Sequence, residues 1–471
     1  MAARSARLCC RLGAPLRSLQ NRRSLCCSAL LERASWERRV AGLLDRDDWL
    51  LPDPAVPVTS IPLGGGARMA VIRDELTHPL LGGNKFRKLD GLWADVVGQA
   101  ADVITCGGLQ SAHTVAVAAA CAERGRRAQL LVRGERPAVP TGHHLYARML
   151  AHRVEYISRA RYADRAAMFA GHLERLRQEQ QQQARRGSGS GSAADGSSST
   201  CAAGSESSSS GGAGGGGVAV IPEGAACSAA LLGLIRLVAW LARHSELAGG
   251  GGSSSSSRHS SSGAGDSRGG GGGRVHILVD SGTGATATGL SLGAALLGLP
   301  WRVTGVCLAG PVDYYRQQQE ELTAAFCAEQ WAPTAASGGP AAAADRAAAG
   351  AAAAGVAAAE AAAVQRAVAD RLSWVPRLVP RRFGKVLPGE VAACRAVAQR
   401  HGILLDPIWN LAAWEVASQA AQAAACGDQS GHSSGPGSSG GSDAGEEVVA
   451  MLHTGGHLGL CGLAQRFPDQ F

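Results

Sequence analysis

The feature that most constrains this chain is one local pattern that recurs: a short apolar strand, a turn of glycine and small polar residues, then an apolar helix. Val275 to Asp280 (Val-His-Ile-Leu-Val-Asp) runs into Ser281-Gly282-Thr283-Gly284-Ala285-Thr286 and a helix to Leu299. Asp102 to Cys106 runs into Gly107-Gly108-Leu109-Gln110-Ser111-Ala112-His113-Thr114 and an alanine-rich helix to about Glu123. Further strands are expected at Ala67 to Arg73, Arg127 to Arg133, Arg153 to Ser158, Val218 to Pro222, Trp301 to Leu308, Gly402 to Pro407 and Val448 to Leu452, with helices around Thr141 to Ala151 and Val391 to Arg400. Strands that alternate with helices imply a parallel sheet with helices packed over it.

Not all of the 471 residues read as core-forming. The tracts 178–217, 247–273, 335–363 and 426–445 are dominated by Gly, Ser, Gln and Ala. With few large apolar side chains they bury too little surface to offset their ordering entropy, so they are expected as insertions in surface loops. The alanine-rich tract 335–363 is open to helix as well as to disorder. The uncharged run Ala285 to Trp301 contains several Gly, Ser and Thr and ends after Pro300, which favours a buried helix over a membrane span.

The first thirty-one residues hold Arg4, Arg7, Arg11, Arg17, Arg22 and Arg23 and no acid before Glu32. Arginine-rich, acid-free composition is that of an organelle transit peptide, with the mitochondrion preferred and the plastid as alternative. Removing these six charges from the formal +8 leaves about +2 (8 − 6) for the remainder, no footprint for nucleic acid. Of thirteen cysteines, four (Cys9, Cys10, Cys26, Cys27) lie in this leader and the others are scattered singly. Neither a zinc site nor a disulfide framework is expected from such spacing.

Two of the three lysines sit in Gly83-Asn84-Lys85-Phe86-Arg87-Lys88-Leu89, and the third is Lys385. In a chain that otherwise uses arginine, a retained lysine suits a task that needs an amine able to lose its proton. Lys85 falls near the start of a helix, where the helix dipole disfavours the ammonium. Lys88 reads as a surface or supporting charge, and Lys385 has no arguable role. The loop Ser281 to Thr286, at a helix N-terminus, suits a phosphate monoester; it lacks the Gly-Lys-Ser/Thr ending of a nucleoside triphosphate loop. The same stretch has the hydrophobic-Asp-Ser-Gly-Thr form of an aspartic protease, but without a second copy or an all-β setting.

Taken in order, the lysine motif, Cys-Gly-Gly-Leu-Gln-Ser-Ala-His, the glycine loop, Leu-Ala-Ala-Trp-Glu and Leu-His-Thr-Gly-Gly resemble the D-cysteine desulfhydrase and 1-aminocyclopropane-1-carboxylate deaminase family, especially its plant organellar members. The resemblance covers most of the ordered chain from about Pro62 to Phe467. It implies an α/β, two-domain, pyridoxal 5'-phosphate-dependent fold of the tryptophan-synthase-β type (fold type II) with parallel-rich sheets. The larger domain is expected from 32–85 and 218–471, the smaller from 86–176, and a homodimer is implied. By the same resemblance Lys85 forms the Schiff base with the cofactor, Ser111 and His113 face the substrate, Asn84, Ser281, Gly282, Thr283, Gly284 and Thr286 hold the cofactor, and Thr454 meets the pyridine nitrogen. The implied reaction is β-elimination from cysteine to sulfide, pyruvate and ammonia. The alternatives are deamination of the cyclopropane amino acid or cofactor binding with little catalysis. Ala112 stands where bacterial relatives carry Asn, and Trp409 where they carry Tyr, so an amide and a titratable phenol are replaced.

Overall fold

The computed structural model describes residues 35–79, 82–188, 217–244, 247, 273–332, 343–429 and 447–471. The expected leader and most of the four low-complexity tracts lie outside these residues. The described residues form two compact units, one of residues up to Leu92 with Ala226–His457, the other of Trp93–Ala225 with Leu458–Asp469.

The larger unit is built on a six-stranded sheet of order β1-β2-β10-β7-β8-β9, from β1 (Val58–Gly64), β2 (Ala67–Ile72), β7 (Val275–Ser281), β8 (Arg302–Cys307), β9 (Leu372–Pro376) and β10 (Val448–Leu452). Only the β1–β2 hairpin is antiparallel; β10 pairs in parallel with both β2 and β7, Ala450 standing opposite Ala70 and Ile277. Every residue of β7 is buried, as an unbroken apolar run demands of a central parallel strand. Side chains alternate between faces. Ile72, Ile277, Val279, Ala450 and Leu452 pack with helices α7 (Ser228–His244) and α8 (Ala285–Leu296), whereas Val71, Leu278 and Met451 pack with Leu411, Trp414 and Ala417 of α12 (Asn410–Gln429). The run read as a buried helix is α8, every residue of which is buried. Among the described residues no helix is long and apolar enough to cross a membrane.

The smaller unit carries four parallel strands in the order β5-β4-β3-β6, from β3 (Asp102–Gly108), β4 (Arg127–Arg133), β5 (Arg153–Ile157) and β6 (Val218–Val220). Ile104, Cys106, Leu131 and Ile157 pack with Tyr162 and with Met168 and Leu176 of α6 (Arg165–Ser188). Helices α3 (Ala112–Glu123) and α4 (Gly142–Leu150) complete the unit, together with the C-terminal helix α13 (Leu458–Arg466), which packs on α4.

Several expectations change. Val218–Val220 completes the smaller sheet by pairing with β3, and the helix after Lys85, α2 (Asn84–Leu92), lies in the larger unit. Helix α6 continues through 178–188, part of the tract expected as an insertion, because Gln and Arg propagate a helix already nucleated by its packed first half. The alanine-rich tract 335–363, open to helix from the start, is largely taken up by helix α10 (Ala343–Ala369), anchored by buried Val364 and Val368, whereas α12 runs on to Gln429, into 426–445. Residues 403–406 pair with no strand; Ile403 and Leu405 are buried against α12 instead. The sequence reading passed over β1, in a proline-rich stretch, and β9, beyond the alanine tract.

Two glycines set how α2 sits. A Cβ on Gly91 would lie 2.5 Å from Gly233 N, and one on Gly233 would lie 1.9 Å from Arg87 O, so α2 and α7 cross at backbone contact. Asp90 strengthens this crossing by accepting from Leu51 N at 2.7 Å and from Arg236 of α7 at 2.9 Å. Gly233→Ala is therefore expected to lower unfolding stability by about 3 kcal/mol, the upper end for overpacking. Gly355→Ala, at an exposed helical glycine with open space, should be neutral or stabilising by up to about 1 kcal/mol. Urea unfolding of the two variants checks the contrast.

Candidate active site

The first half of the site is a pair of backbone contacts in the larger unit. Gly83 has φ +117°, and a Cβ there would stand 2.2 Å from Thr454 O. Gly455 has φ +86°, and a Cβ there would stand 2.2 Å from Gly82 O. Both positions require glycine on conformation and on space. The loop before α2 and the loop after β10 therefore touch without intervening side chains. Lys85, the second residue of α2, donates from Nζ to Asn84 Oδ1 at 2.7 Å, and Asn84 Nδ2 donates to Thr286 Oγ1 at 2.9 Å. Arg87, on the same helix, pairs with Asp74 at 2.7 Å with both side chains fully buried.

Thr286 belongs to α8, whose N-terminus forms the second half. Strand β7 ends at Ser281, Gly284 caps α8 with φ +79°, and the first helical amides have no intrahelical acceptors. The loop is held from behind, since Ser281 O accepts from Tyr315 Oη at 2.7 Å and from Leu308 N at 3.2 Å. Its side chains are left available: Ser281 Oγ is buried and has no hydrogen-bond partner among the described residues. Trp409 lies so close to Gly282 that a Cβ there would meet the indole at 2.9 Å. Phe383 stands edge-on to Trp409, ring centroids 4.9 Å apart.

Thr454, at the end of β10, donates to Asp280 Oδ1 at 2.6 Å. With the Asn410 amide turned so that Nδ2 donates to Gly455 O at 2.9 Å and Asp406 Oδ2 at 3.2 Å, its oxygen meets Thr454 Oγ1 at 3.0 Å. Asp406 Oδ1 also accepts from Ile408 N and Trp409 N, each at 2.9 Å. Burial raises Asp280 above the usual carboxylate range. Burial pushes Asp406 up to about 7, against the pull of those backbone amides and with the help of the Asp280 charge. Lys85 is held below an ordinary lysine by burial, opposed by the Asp280 and Asp406 charges. Desolvation is the largest influence on this amine.

Lys88 departs from the surface reading. It is 2% exposed, and burial, then the Lys85 charge, pushes its ammonium well below the ordinary value. Its turn of α2 faces α7 instead of solvent, because the Gly91–Gly233 crossing leaves no room for water.

The smaller unit holds the other two expected residues. Ser111 caps α3, its Oγ accepting from Thr114 N at 3.4 Å. A Cβ on Gly107 would come within 2.6 Å of that Oγ, which accounts for a glycine at the turn. His113 is buried, its Nε2 2.8 Å from Thr105 Oγ1. The Thr105 hydroxyl donates to Ile221 O at 2.9 Å, so His113 must be the donor from Nε2. Gln110 is committed within the unit, donating to Thr141 O and accepting from His143 N.

The larger unit thus connects Lys85, Asn84, Thr286, the glycine loop and Thr454, with Ser111 and His113 on the smaller. Asp280, Asp406 and Asn410 were not singled out as site residues. Asp280 was weighed only as a protease aspartate, while Asp406 and Asn410 flank Trp409 in Asp-Pro-Ile-Trp-Asn and carried no signal beyond that.

A carboxyl group with a raised folded-state pKa stabilises the fold fully below its unfolded pKa, and that contribution disappears as pH rises through the folded value. For Asp406 the window runs from about 3.8 to about 7. Asp406→Asn, which cannot ionise, should therefore lose less stability than the parent between pH 5 and pH 7, by about 2 kcal/mol. Urea midpoints at the two pH values check it, and equal losses would contradict the protonated, buried acid.

No family model matches the chain. A rice (Oryza sativa subsp. japonica) protein provisionally named D-cysteine desulfhydrase 2, mitochondrial, is 35% identical over 467 residues, 92% of this chain and 96% of its own. A Pyrococcus abyssi protein provisionally named 1-aminocyclopropane-1-carboxylate deaminase is 25% identical over 276 residues, 58% of this chain and 65% of its own. In fold, the crystal structure of an ACC deaminase homologue covers 92% of this chain and 99% of its own at a TM-score of 0.55 and 20% identity. On the extent and identity of the rice match, the chain belongs to the D-cysteine desulfhydrase and 1-aminocyclopropane-1-carboxylate deaminase family of pyridoxal phosphate-dependent lyases.

Proposed function

We propose that the protein is a D-cysteine desulfhydrase, with Lys85 as its central amine. The observation that carries the reading is the run Lys85 Nζ–Asn84–Thr286, which joins the desolvated amine to the helix that opens the glycine loop. Pyridoxal 5'-phosphate fits the residues present. Ser281 Oγ is a buried polar atom without a hydrogen-bond partner among the described residues, and the loop Gly282-Thr283-Gly284 puts amides, not bulk, at a helix N-terminus. In this reading Ser281, Gly282, Thr283, Gly284 and Thr286 hold the phosphate, Asn84 steadies Lys85, and Thr454 faces the ring nitrogen. When bound, the cofactor supplies an electron sink for charge developing at Cα.

The chain's own residues do the rest. Lys85 Nζ takes the Cα proton, for which a lowered pKa fits it. Asn84 Oδ1 accepts from that nitrogen and fixes its direction. Ser111 and His113 are assigned to the substrate side, His113 keeping Nε2–H on Thr105. Loss of thiolate from Cβ and hydrolysis of the released 2-aminoacrylate turn cysteine and one water into sulfide, pyruvate and ammonia. Trp409 brings a wide indole and no phenol to the Gly282 wall, which favours cysteine over the cyclopropane substrate. We assign the chain to the mitochondrion, with the plastid second, on its arginine-rich first residues and the rice relative's name. A homodimer is the assembly the family suggests.

Sulfide and pyruvate release from D-cysteine is the expected activity. Lys85→Ala should lower it by at least about a thousandfold, beyond what loss of an ordinary contact does. Product from L-cysteine alone, or 2-oxobutanoate from 1-aminocyclopropane-1-carboxylate, would reverse the substrate assignment. A cofactor absorption band that depends on Lys85, without turnover of any of the three, would favour a binding protein. Ser281→Ala removes one hydrogen bond to a charged group and should weaken cofactor affinity roughly 10- to 100-fold, read by fluorescence titration.

A further inference from the structure

Glu75 follows β2, and His453 and His457 follow β10, so parallel pairing of these two strands brings the three side chains together. One donor atom from each lies within 4.8 Å of the others. Glu75 Oε1 is taken by the Arg73 guanidinium. Glu75 Oε2 is fully buried and accepts no hydrogen bond among the described residues; His453 Nδ1 lies 3.5 Å away. Two tetrahedral ligands about 2.1 Å from a zinc ion stand about 3.4 Å apart, so this separation is already that of a liganded pair.

The imidazole is also presented correctly. His453 Nε2 donates to Leu404 O at 2.8 Å, which leaves the Nδ1 lone pair toward Glu75 and is the outer hydrogen bond that metal-bound histidines carry. The competing donor to Nδ1 is Gly455 N, at a long 3.2 Å. His453 is fully buried and His457 half-buried. Neutral imidazole is the ligating form. The opposing charge is Arg73, whose hydrogen bond to Oε1 leaves Oε2 to bind in single-oxygen fashion. His457 is partly exposed and gives an ion a path to the site.

We propose that Glu75, His453 and His457 form a binding site for a divalent cation of the zinc class, completed by water. Two histidines and one carboxylate are a ligand set that zinc accepts, with a fourth position left to solvent. The ion would clamp the loop after β2 to the loop that carries Thr454, holding the turn His453-Thr454-Gly455. Ligand spacing in the sequence gives no hint of it, since Glu75 and the histidines lie at opposite ends of the chain and no cysteine takes part.

The test uses the full chain. Metal analysis after desalting, and zinc titration by competition with a chromophoric chelator, should give one equivalent per chain. His457→Leu and Glu75→Gln should each weaken binding at least about 100-fold. Cobalt loaded in place of zinc should give the intense visible bands of a four-coordinate site without thiolate charge transfer, a readout independent of either variant. Thiolate bands, no retained or titrated metal, or equal affinity in the parent and both folded variants would overturn the proposal. Cofactor binding at Lys85 is measured separately, so failure here and failure of the desulfhydrase reading are distinguishable.

Discussion

Lys85 is placed by backbone touching backbone. Gly82 and Gly83 lie against Thr454 and Gly455 so closely that a methyl group on Gly83 or Gly455 would come within 2.2 Å of a carbonyl oxygen. Side chains can move by rotamer, whereas two backbones in contact cannot separate without moving a strand and a helix together. This contact couples the end of β10, a central strand, to the first turn of α2. A second close approach, Gly91 on Gly233, fixes the far end of the same helix against α7. Lys85 is thus on a short helix pinned at both ends, and α7 in turn packs on α8, which begins at the glycine loop.

Desolvation then sets the chemistry. Asp280 and Asp406 are buried and Lys85 is half-buried, and desolvation is the largest influence on each. It lowers the amine and raises the acids; the attraction between Lys85 and Asp280 opposes the shift of each, whereas the Asp280 charge adds to the rise of Asp406. The same burial that stabilises the fold therefore prepares an amine that is easy to deprotonate. Thr454 donates to Asp280 and Asn410 donates to Asp406, and the charge of Asp280 acts directly on Asp406.

Trp409 and Phe383 mark what is particular to this chain. Trp409 closes over Gly282, and Phe383 meets it edge-on, so the wall beside the loop is aromatic, wide and without a phenol. In the smaller unit, Gln110, Ser111 and His113 of the Gln-Ser-Ala-His loop all make hydrogen bonds within their own unit. Ser111 is half-buried and His113 is buried, so Ser111 is the more accessible of the two assigned to the substrate side.

Much of the fold was legible because strand, glycine turn and helix each leave a local signature. Val275–Ser281, Asp102–Gly108 and the helices that follow were readable from apolar runs and small turn residues alone. Lys85 stood out through lysine scarcity, and the glycine loop through its composition. What the sequence left out depended on partners far along the chain. Lys88 read as a surface or a supporting charge, and only the approach of α7 at Gly233 decides that it is buried beside Lys85. Val218–Val220 changed units because only pairing with β3 decides where a three-residue strand belongs. Asn410 meets Asp280 and Thr454, and Glu75 meets His453 and His457, only after β10 is inserted between β2 and β7. The sequence by itself determined most of the strands, turns and helices, though not β1, β9 or the unpaired residues 403–406, because those it did determine are set by neighbours a few residues away. Tertiary structure alone decided which polar groups lost their water, because burial depends on what distant elements pack on them, and burial governs Lys85, Asp280 and Asp406.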